Sequence, residues 1–150
     1  MKTLQSTFRL LIIPLIVICG ISCKADHVLT LHVDTTVLTP ATISAACDFS
    51  TGPGTIVLDS TSAEAFTIQA VIHDRIKWQG VSPGHNISVK MIKYESGPAI
   101  FKKDSYTGSK KVCARVRANT PGMVAHKYSL FFKVDRDPRI YKIDPKIMVR

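Results

Sequence analysis

The chain has 150 residues, with 20 Lys and Arg against 11 Asp and Glu, for a formal net charge of +9. This length fits one ordinary domain that buries a core of its own. The few acidic residues mostly lie beside turns or bases, so a cleft with paired catalytic carboxylates is not predicted. Zinc motifs of the CxxC or HExxH type are absent as well.

The N-terminus combines Lys2 and Arg9 with an apolar run of about eleven residues, where a membrane span needs about twenty. This pattern predicts a secretory signal peptide over residues 1–25 and one exported domain over residues 26–150, with no transmembrane segment after signal removal. Cleavage before Cys23 and cleavage before Asp26 both remain open. The stretch before Cys23, residues 20–23, resembles a bacterial lipoprotein signal, in which the cysteine at the cut is lipidated.

Signal removal changes which cysteines remain. Cys19 leaves with the signal peptide, and Cys23 is either removed or lipidated, so Cys47 and Cys113 remain as a pair. In an oxidising compartment an even pair of cysteines is predicted to form a disulfide bond. The alternative is two free thiols.

Alternating apolar and polar residues predict strands along the rest of the chain, separated by turn signals such as TGPG, SGP and NTPG. No window shows a helical period. The pattern therefore predicts a single antiparallel β-sandwich of about eight strands. In chain order, the predicted inward-facing sets are Leu29, Leu31 and Val33; Ile43, Ala45, Cys47 and Phe49; Ile56 and Leu58; Phe66, Ile68, Ala70 and Ile72, continuing to Ile76 and Trp78; Ile87, Val89 and Met91; Val112, Ala114 and Val116; Tyr128, Leu130, Phe132 and Val134; and Ile147 with Val149.

The C-terminal third and the stretch RIKWQG, which holds Trp78, resemble small secreted bacterial β-sandwich proteins of cupredoxin-like shape. The matching C-terminal residues are Tyr128, Asp144, Pro145 and Ile147. The resemblance implies an Ig-like or cupredoxin-like Greek key and no established activity.

A cupredoxin shape raises the question of copper. The candidate ligands are His85, Cys113, Met123 and His126. Blue-copper sites need two imidazoles, a thiolate and a weak axial ligand. Here Met123 precedes His126, and a disulfide at Cys113 would remove the thiolate. No metal ligand, other cofactor or catalytic residue is therefore predicted, and a copper-binding cupredoxin is only a second alternative.

A separate stretch, ATISAACDFSTGPGTIVLD, resembles the opening of bacterial pilin-type domains, in which a strand bearing a cysteine is followed by a second short strand. The resemblance implies a pilin-like or fimbrial subunit. We keep this as the first alternative function.

The functional lead is a basic segment, which we define as residues 90–117. It holds eight Lys and Arg, opposed by Glu95 and Asp104 alone. An anionic envelope polymer, lipid headgroups or an acidic protein is the predicted partner, since opposite charge attracts them. The alternative is a solvated face that keeps the domain soluble. The residues predicted to bind the partner are Lys102, Lys103, Lys110, Lys111, Arg115 and Arg117.

Together these observations predict an exported, non-catalytic protein with a binding or structural role in the bacterial periplasm or exterior. Lipidation of Cys23 would anchor it to the outer membrane. Charge alone would also suit nucleic acid, but export argues against that partner.

Overall fold

The computed structural model describes residues 25–150. The predicted signal peptide, apart from Ala25, and the predicted lipidation at Cys23 therefore lie outside the described residues. Within residues 25–150, no helix is long and apolar enough to span a bilayer.

The described chain folds almost entirely into strands. In chain order the elements are β1 (His27–Val33), the one-turn helix α1 (Ile43–Ala46), β2 (Cys47–Thr51), β3 (Ile56–Asp59), β4 (Thr67–Ala70), β5 (Arg75–Val81), β6 (Ile87–Ser96), β7 (Ser105–Thr107), β8 (Val112–Arg115), a 3₁₀ turn at Pro121–Met123, β9 (His126–Val134), β10 (Tyr141–Ile143) and β11 (Lys146–Val149).

These strands form two sheets. Sheet A has four strands in the order β2-β1-β5-β8, and sheet B has the order β3-β4-β11-β9-β6-β7, with β10 also paired to β9. The all-β prediction is confirmed. The prediction of purely antiparallel pairing is wrong, because β1 runs parallel to β5 and β4 runs parallel to β11. The described strands number eleven rather than about eight. Parallel neighbours need long crossover connections, and alternation along one strand does not reveal the direction of its partner.

A single hydrophobic cluster takes side chains from both sheets. Trp78 on β5 donates its indole N–H to the Tyr128 hydroxyl on β9, with 2.9 Å between the two atoms. The ring of Phe49 on β2 stacks on that of Phe66, just before β4, with 4.7 Å between centroids. Aromatic contacts thus join the two sheets at separate places in the core, and the predicted burial of Trp78 is confirmed.

In three of the predicted inward-facing sets, some residues differ from the prediction in secondary structure or burial, because the backbone there departs from a regular strand. Residues Ile43–Ala46 form helix α1, so the strand begins only at Cys47. Ile72 is exposed because the chain turns between β4 and β5, at His73, whose φ is +82°. The ladder between β6 and β9 shifts register after Val89, so Ile92 is buried in place of Met91.

Candidate anion-binding edge

The basic segment lies where the two sheets meet at one side of the protein. It begins in β6, continues through β7 at an edge of sheet B, and ends just past β8 at an edge of sheet A. Strands β7 and β8 also contact each other. The six residues predicted to bind an anionic partner are all exposed along this side. The segment is therefore one continuous edge of the protein, which we call the basic edge.

The first half of the basic edge is assembled by an isolated β-bridge. Phe101 pairs with Val116, and the Arg117 amide donates to the carbonyl of Ile100 at 2.7 Å. This bridge places the turn that carries Lys102 and Lys103 beside the end of β8. The four bases that it brings together are Lys102, Lys103, Arg115 and Arg117.

The second half is the turn between β7 and β8, which holds Lys110 and Lys111. The Val89 amide donates to the Lys110 carbonyl at 3.0 Å, and the Lys90 ammonium donates to the carbonyl of Ser109 at 2.6 Å. A Cβ on Gly108 would overlap the Lys111 carbonyl oxygen, so this tight turn needs glycine there. Both lysines also line a crevice of about 340 Å³, whose other polar residues are Gln79, Ser82, His85 and Asn86.

The two lysine pairs lie at opposite ends of β7. Along β6, the Tyr94 amide bonds to the Asp104 carbonyl, and the Val89 amide bonds to the Lys110 carbonyl. Those two points are five residues apart, or about 17 Å at the rise of an antiparallel strand. The structure therefore divides the predicted binding residues into two positive clusters on one edge.

Few acidic groups neutralise the basic edge. Within residues 25–150, none of the eight bases of the segment forms a salt bridge. Of the two acids of the segment, Glu95 lies near Lys142, which is outside the segment, at 3.8 Å. Arg115 is held by a hydrogen bond from its Nε to the carbonyl of His73, at 3.0 Å. The charges of the edge therefore face solvent largely uncompensated.

The predicted disulfide bond between Cys47 and Cys113 is wrong, because Cys47 is a free thiol. Cys47 lies on β2 and Cys113 lies on β8, at opposite edges of sheet A. Three strand spacings separate them, about 14 Å, and a disulfide needs Cα atoms within about 7 Å. Cys113 is itself disulfide-bonded.

The Cys47 thiol is buried beside helix α1, where it lines a crevice of about 780 Å³. Burial raises the pKa of this thiol to about 12. Because the thiolate is the reactive form of cysteine, this thiol is chemically quiet in the folded protein.

We expect the two cysteines to differ in a simple labelling experiment. After unfolding of the full 150-residue chain without reductant, an alkylating reagent should modify Cys47 and leave Cys113 unmodified until a reductant is added. Peptide mass spectrometry would measure both positions. Alkylation of Cys113 without reductant, or protection of Cys47, would contradict the assignment.

The four copper-ligand candidates have separate environments. His85 lies on the surface, with its Nδ1 3.3 Å from Asp135, and Met123 is 75% exposed in the 3₁₀ turn. His126 is buried in an aromatic cluster, and Cys113 is disulfide-bonded. No group of three or more metal-ligating side chains occurs within residues 25–150.

The sequence also contains a short nucleophile motif. The stretch GVSPG, residues 80–84, matches the GxSxG pattern, and Ser82 pairs across the turn with His85, which lies near Asp135. In hydrolases this motif exposes its serine between a strand and a helix. Here the turn joins β5 to β6, and the Ser82 hydroxyl is buried with no hydrogen-bond partner among the described residues. Ser82, His85 and Asp135 therefore do not form a hydrogen-bonded triad in the described part of the chain.

A polar cluster around Ser129 could not be predicted from any local pattern in the sequence. The Ser129 hydroxyl lies 2.5 Å from a carboxylate oxygen of Glu95 and 2.7 Å from one of Asp144, and Lys142 lies 3.2 Å from Asp144. The cluster joins β6, β9 and the chain around β10. One hydroxyl proton serves two acceptors, and the ammonium offsets their charge. Its residues lie up to 49 positions apart, so only the strand register brings them together.

Comparisons with known proteins support the fold. No family model matches this sequence, and no curated protein matches it significantly. The structure is similar to the crystal structure of the inclusion body protein PixA from Burkholderia cenocepacia, with a TM-score of 0.61 and 11% sequence identity. The match covers 83% of this chain and 94% of that chain. At this identity the similarity shows a shared β-rich fold alone.

Proposed function

We propose that this chain is an exported, non-catalytic β-sandwich protein that binds an anionic partner of the bacterial envelope or exterior. The partner would bind the basic edge through the six bases of the two clusters. The observation that supports this proposal is their exposure without an ion pair among residues 25–150. Export itself rests on the predicted signal peptide, and lipidation of Cys23 stays part of the proposal as an alternative outcome of processing.

The spacing of the clusters favours an extended anion over a small one. They lie about 17 Å apart along β6, whereas electrostatic attraction is screened within about 8–10 Å at physiological ionic strength. A single phosphate or sulfate would therefore interact with one cluster at a time. A polymer or a lipid surface would contact both, and the two contributions would add. We therefore favour an anionic polymer or a layer of anionic headgroups.

Replacement of Lys102, Lys103, Lys110 and Lys111 by Gln should remove most of the binding. Folding should be unaffected, because solvated charges contribute little to stability. Each pair of substitutions alone should remove part of it, since the clusters are separate. Cosedimentation with anionic vesicles and with cell-wall polymer, across a range of salt concentrations, would measure this effect. Binding of the wild type should weaken steeply as salt rises.

A matched control removes the same number of charges elsewhere. Gln at Lys133, Arg136, Lys146 and Arg150 lowers the net charge equally but leaves the basic edge intact. This variant should keep most of its binding, and neutral vesicles should bind neither protein. Equal loss in both variants would mean that net charge alone is responsible. If the wild type does not bind, the proposal is wrong and the basic edge is a solvated face that keeps the domain soluble.

The pilin-like subunit remains the alternative, and one observation favours it. Strand β3 is an exposed apolar edge of sheet B, of the kind at which subunits add strands. A fimbrial subunit should polymerise or need a donated strand to fold, whereas a self-complete domain should fold alone. The finer cupredoxin-like topology is likewise a proposal, which rests on the C-terminal resemblance.

A further inference from the structure

Strand β3 combines an open edge with an apolar surface. Within residues 25–150 it pairs with β4 alone. Its three aliphatic side chains are all exposed: Ile56 by 54%, Val57 by 40% and Leu58 by 43%. A strand with one solvated face normally alternates apolar and polar residues, but this one shows apolar groups in succession.

Neighbouring residues extend the apolar surface. Ile56 pairs with Gln69 in an antiparallel ladder, so the chain that follows β4 runs beside the turn that precedes β3. That chain carries Val71 and Ile72, which are 49% and 39% exposed. This end of sheet B therefore holds five of the ten large exposed hydrophobic residues in the described chain.

The opposite edge of the same sheet is flanked by lysines, whereas β3, which has a register shift between Val57 and Asp59, carries none. Strand β7 has three residues and is bounded by lysine pairs, which is a common way to prevent pairing between edges. Residues 55–60 contain no base, and their one charge, Asp59, accepts hydrogen bonds from the amide and the hydroxyl of Thr61. That carboxylate caps its own turn and does not shield the strand.

We propose that β3 is an interface at which a second copy of this chain adds its own β3, antiparallel, and joins the two B sheets about a two-fold axis. With the axis near Val57, Asp59 of one copy faces Thr55 of the other, so no like charges are opposed. The exposed aliphatic side chains of the two strands then cover each other. Pairing of the two edges also gives hydrogen-bond partners to the backbone N–H and C=O groups that each β3 edge leaves unpaired.

Charge favours a second copy as the occupant. Five strand spacings separate β3 from β7 across sheet B, about 24 Å, so the β3 pairing holds the basic edges of two copies far apart. Pairing through β7 would instead bring the lysines of both copies together. An anionic membrane is a poor occupant, because β3 carries no base. This dimer would display two basic edges at its far ends, but its formation does not depend on the proposed function.

The test is the molar mass of the purified chain, measured by light scattering during size-exclusion chromatography over a wide concentration range. The wild type should approach the mass of a dimer. The double variant Ile56→Lys and Leu58→Lys should raise the dissociation constant at least about tenfold, since like charges would then face each other across the pair. The control Val124→Lys, at a residue that is 54% exposed and outside β3, should dimerise like the wild type.

Far-UV circular dichroism would show whether the double variant is folded, and amide hydrogen exchange of β3 would locate the interface. A monomer at every concentration overturns the proposal, and so does a dimer that survives the double variant. A monomeric wild type with protected β3 amides would show that another segment covers the strand, which overturns it too. Large polymers that the double variant abolishes would contradict a closed dimer and support the fimbrial alternative.

Discussion

Trp78→Ala should lower the free energy of unfolding by about 3–5 kcal/mol, as expected when a large aromatic side chain is removed from a packed core. Trp78 is fully buried on β5 and contacts the edges of Phe101 and Tyr128, with ring centroids 6.0 and 5.6 Å away. Its loss would leave a void between the two sheets. Urea unfolding followed by circular dichroism measures the change, because the variant lacks the only tryptophan of the chain.

A second substitution separates the hydrogen bond from the packing. The indole N–H of Trp78 donates to the Tyr128 hydroxyl in the core, and burial raises the pKa of that hydroxyl. Tyr128→Phe removes the acceptor and leaves a buried N–H unpaired, which should cost about 1–3 kcal/mol. A double-mutant cycle with Trp78→Phe should then show coupling between the two residues. The exposed control, Val124→Ala, should stay within about 0.5 kcal/mol of the wild type.

Native fluorescence gives an independent check. A buried Trp78 should emit at short wavelength and resist soluble quenchers. A red-shifted and easily quenched emission, or a loss well under 1 kcal/mol in Trp78→Ala, would contradict the assigned core.

Long alternating strands could be predicted from the sequence, and shorter ones could not. Tyr128, Leu130, Phe132 and Val134 all face the core on β9, as their spacing predicted. Strand β7, with three residues, is too short to show a period. Ile56 and Leu58 do lie on a strand, but they are exposed. The residues of an apolar strand do not show whether its side chains pack against the same chain or against another one.

The candidate site, too, could be predicted from the sequence only in part. Composition alone locates the basic segment, but its two clusters depend on the bridge between Phe101 and Val116 and on the register of β7 against β6. The cysteine pairing failed for a related reason. Cys47 and Cys113 both lie on strands of sheet A, and only the strand order shows that they occupy opposite edges. Long-range order of this kind is set by packing, not by local pattern.

The stability of the protein should fall as the pH drops below about 6.5, the usual pKa of histidine, because His126 resists protonation. His126 is 1% exposed, and its ring lies among those of Tyr94, Phe101 and Tyr128. Its Nδ1 lies 2.8 Å from the Pro98 carbonyl, so Nδ1 carries the proton. The other nitrogen, Nε2, is buried without a partner among the described residues. A proton added there would place an unpaired charge in the core.

Burial lowers the pKa of His126, and the hydrogen bond to Pro98 opposes that shift only in part. As the pH falls, the unfolded chain therefore binds a proton at this residue before the folded chain does. At pH values above the pKa of His126 in the unfolded chain, this residue does not lower the free energy of unfolding. Between the unfolded and the folded pKa, stability is lost at up to about 1.4 kcal/mol per pH unit. The depressed pKa values of Asp34 and Asp59 act in a lower window, beneath their ordinary value of 3.8.

His126→Asn is the matching variant, because an amide N–H can still donate to the Pro98 carbonyl but does not titrate. The variant should be less stable near neutral pH, since it loses ring contacts, but its stability should change less as the pH falls from about 7.5 to about 5. Urea midpoints across that range measure the difference. Parallel curves for the two proteins would contradict this role of His126.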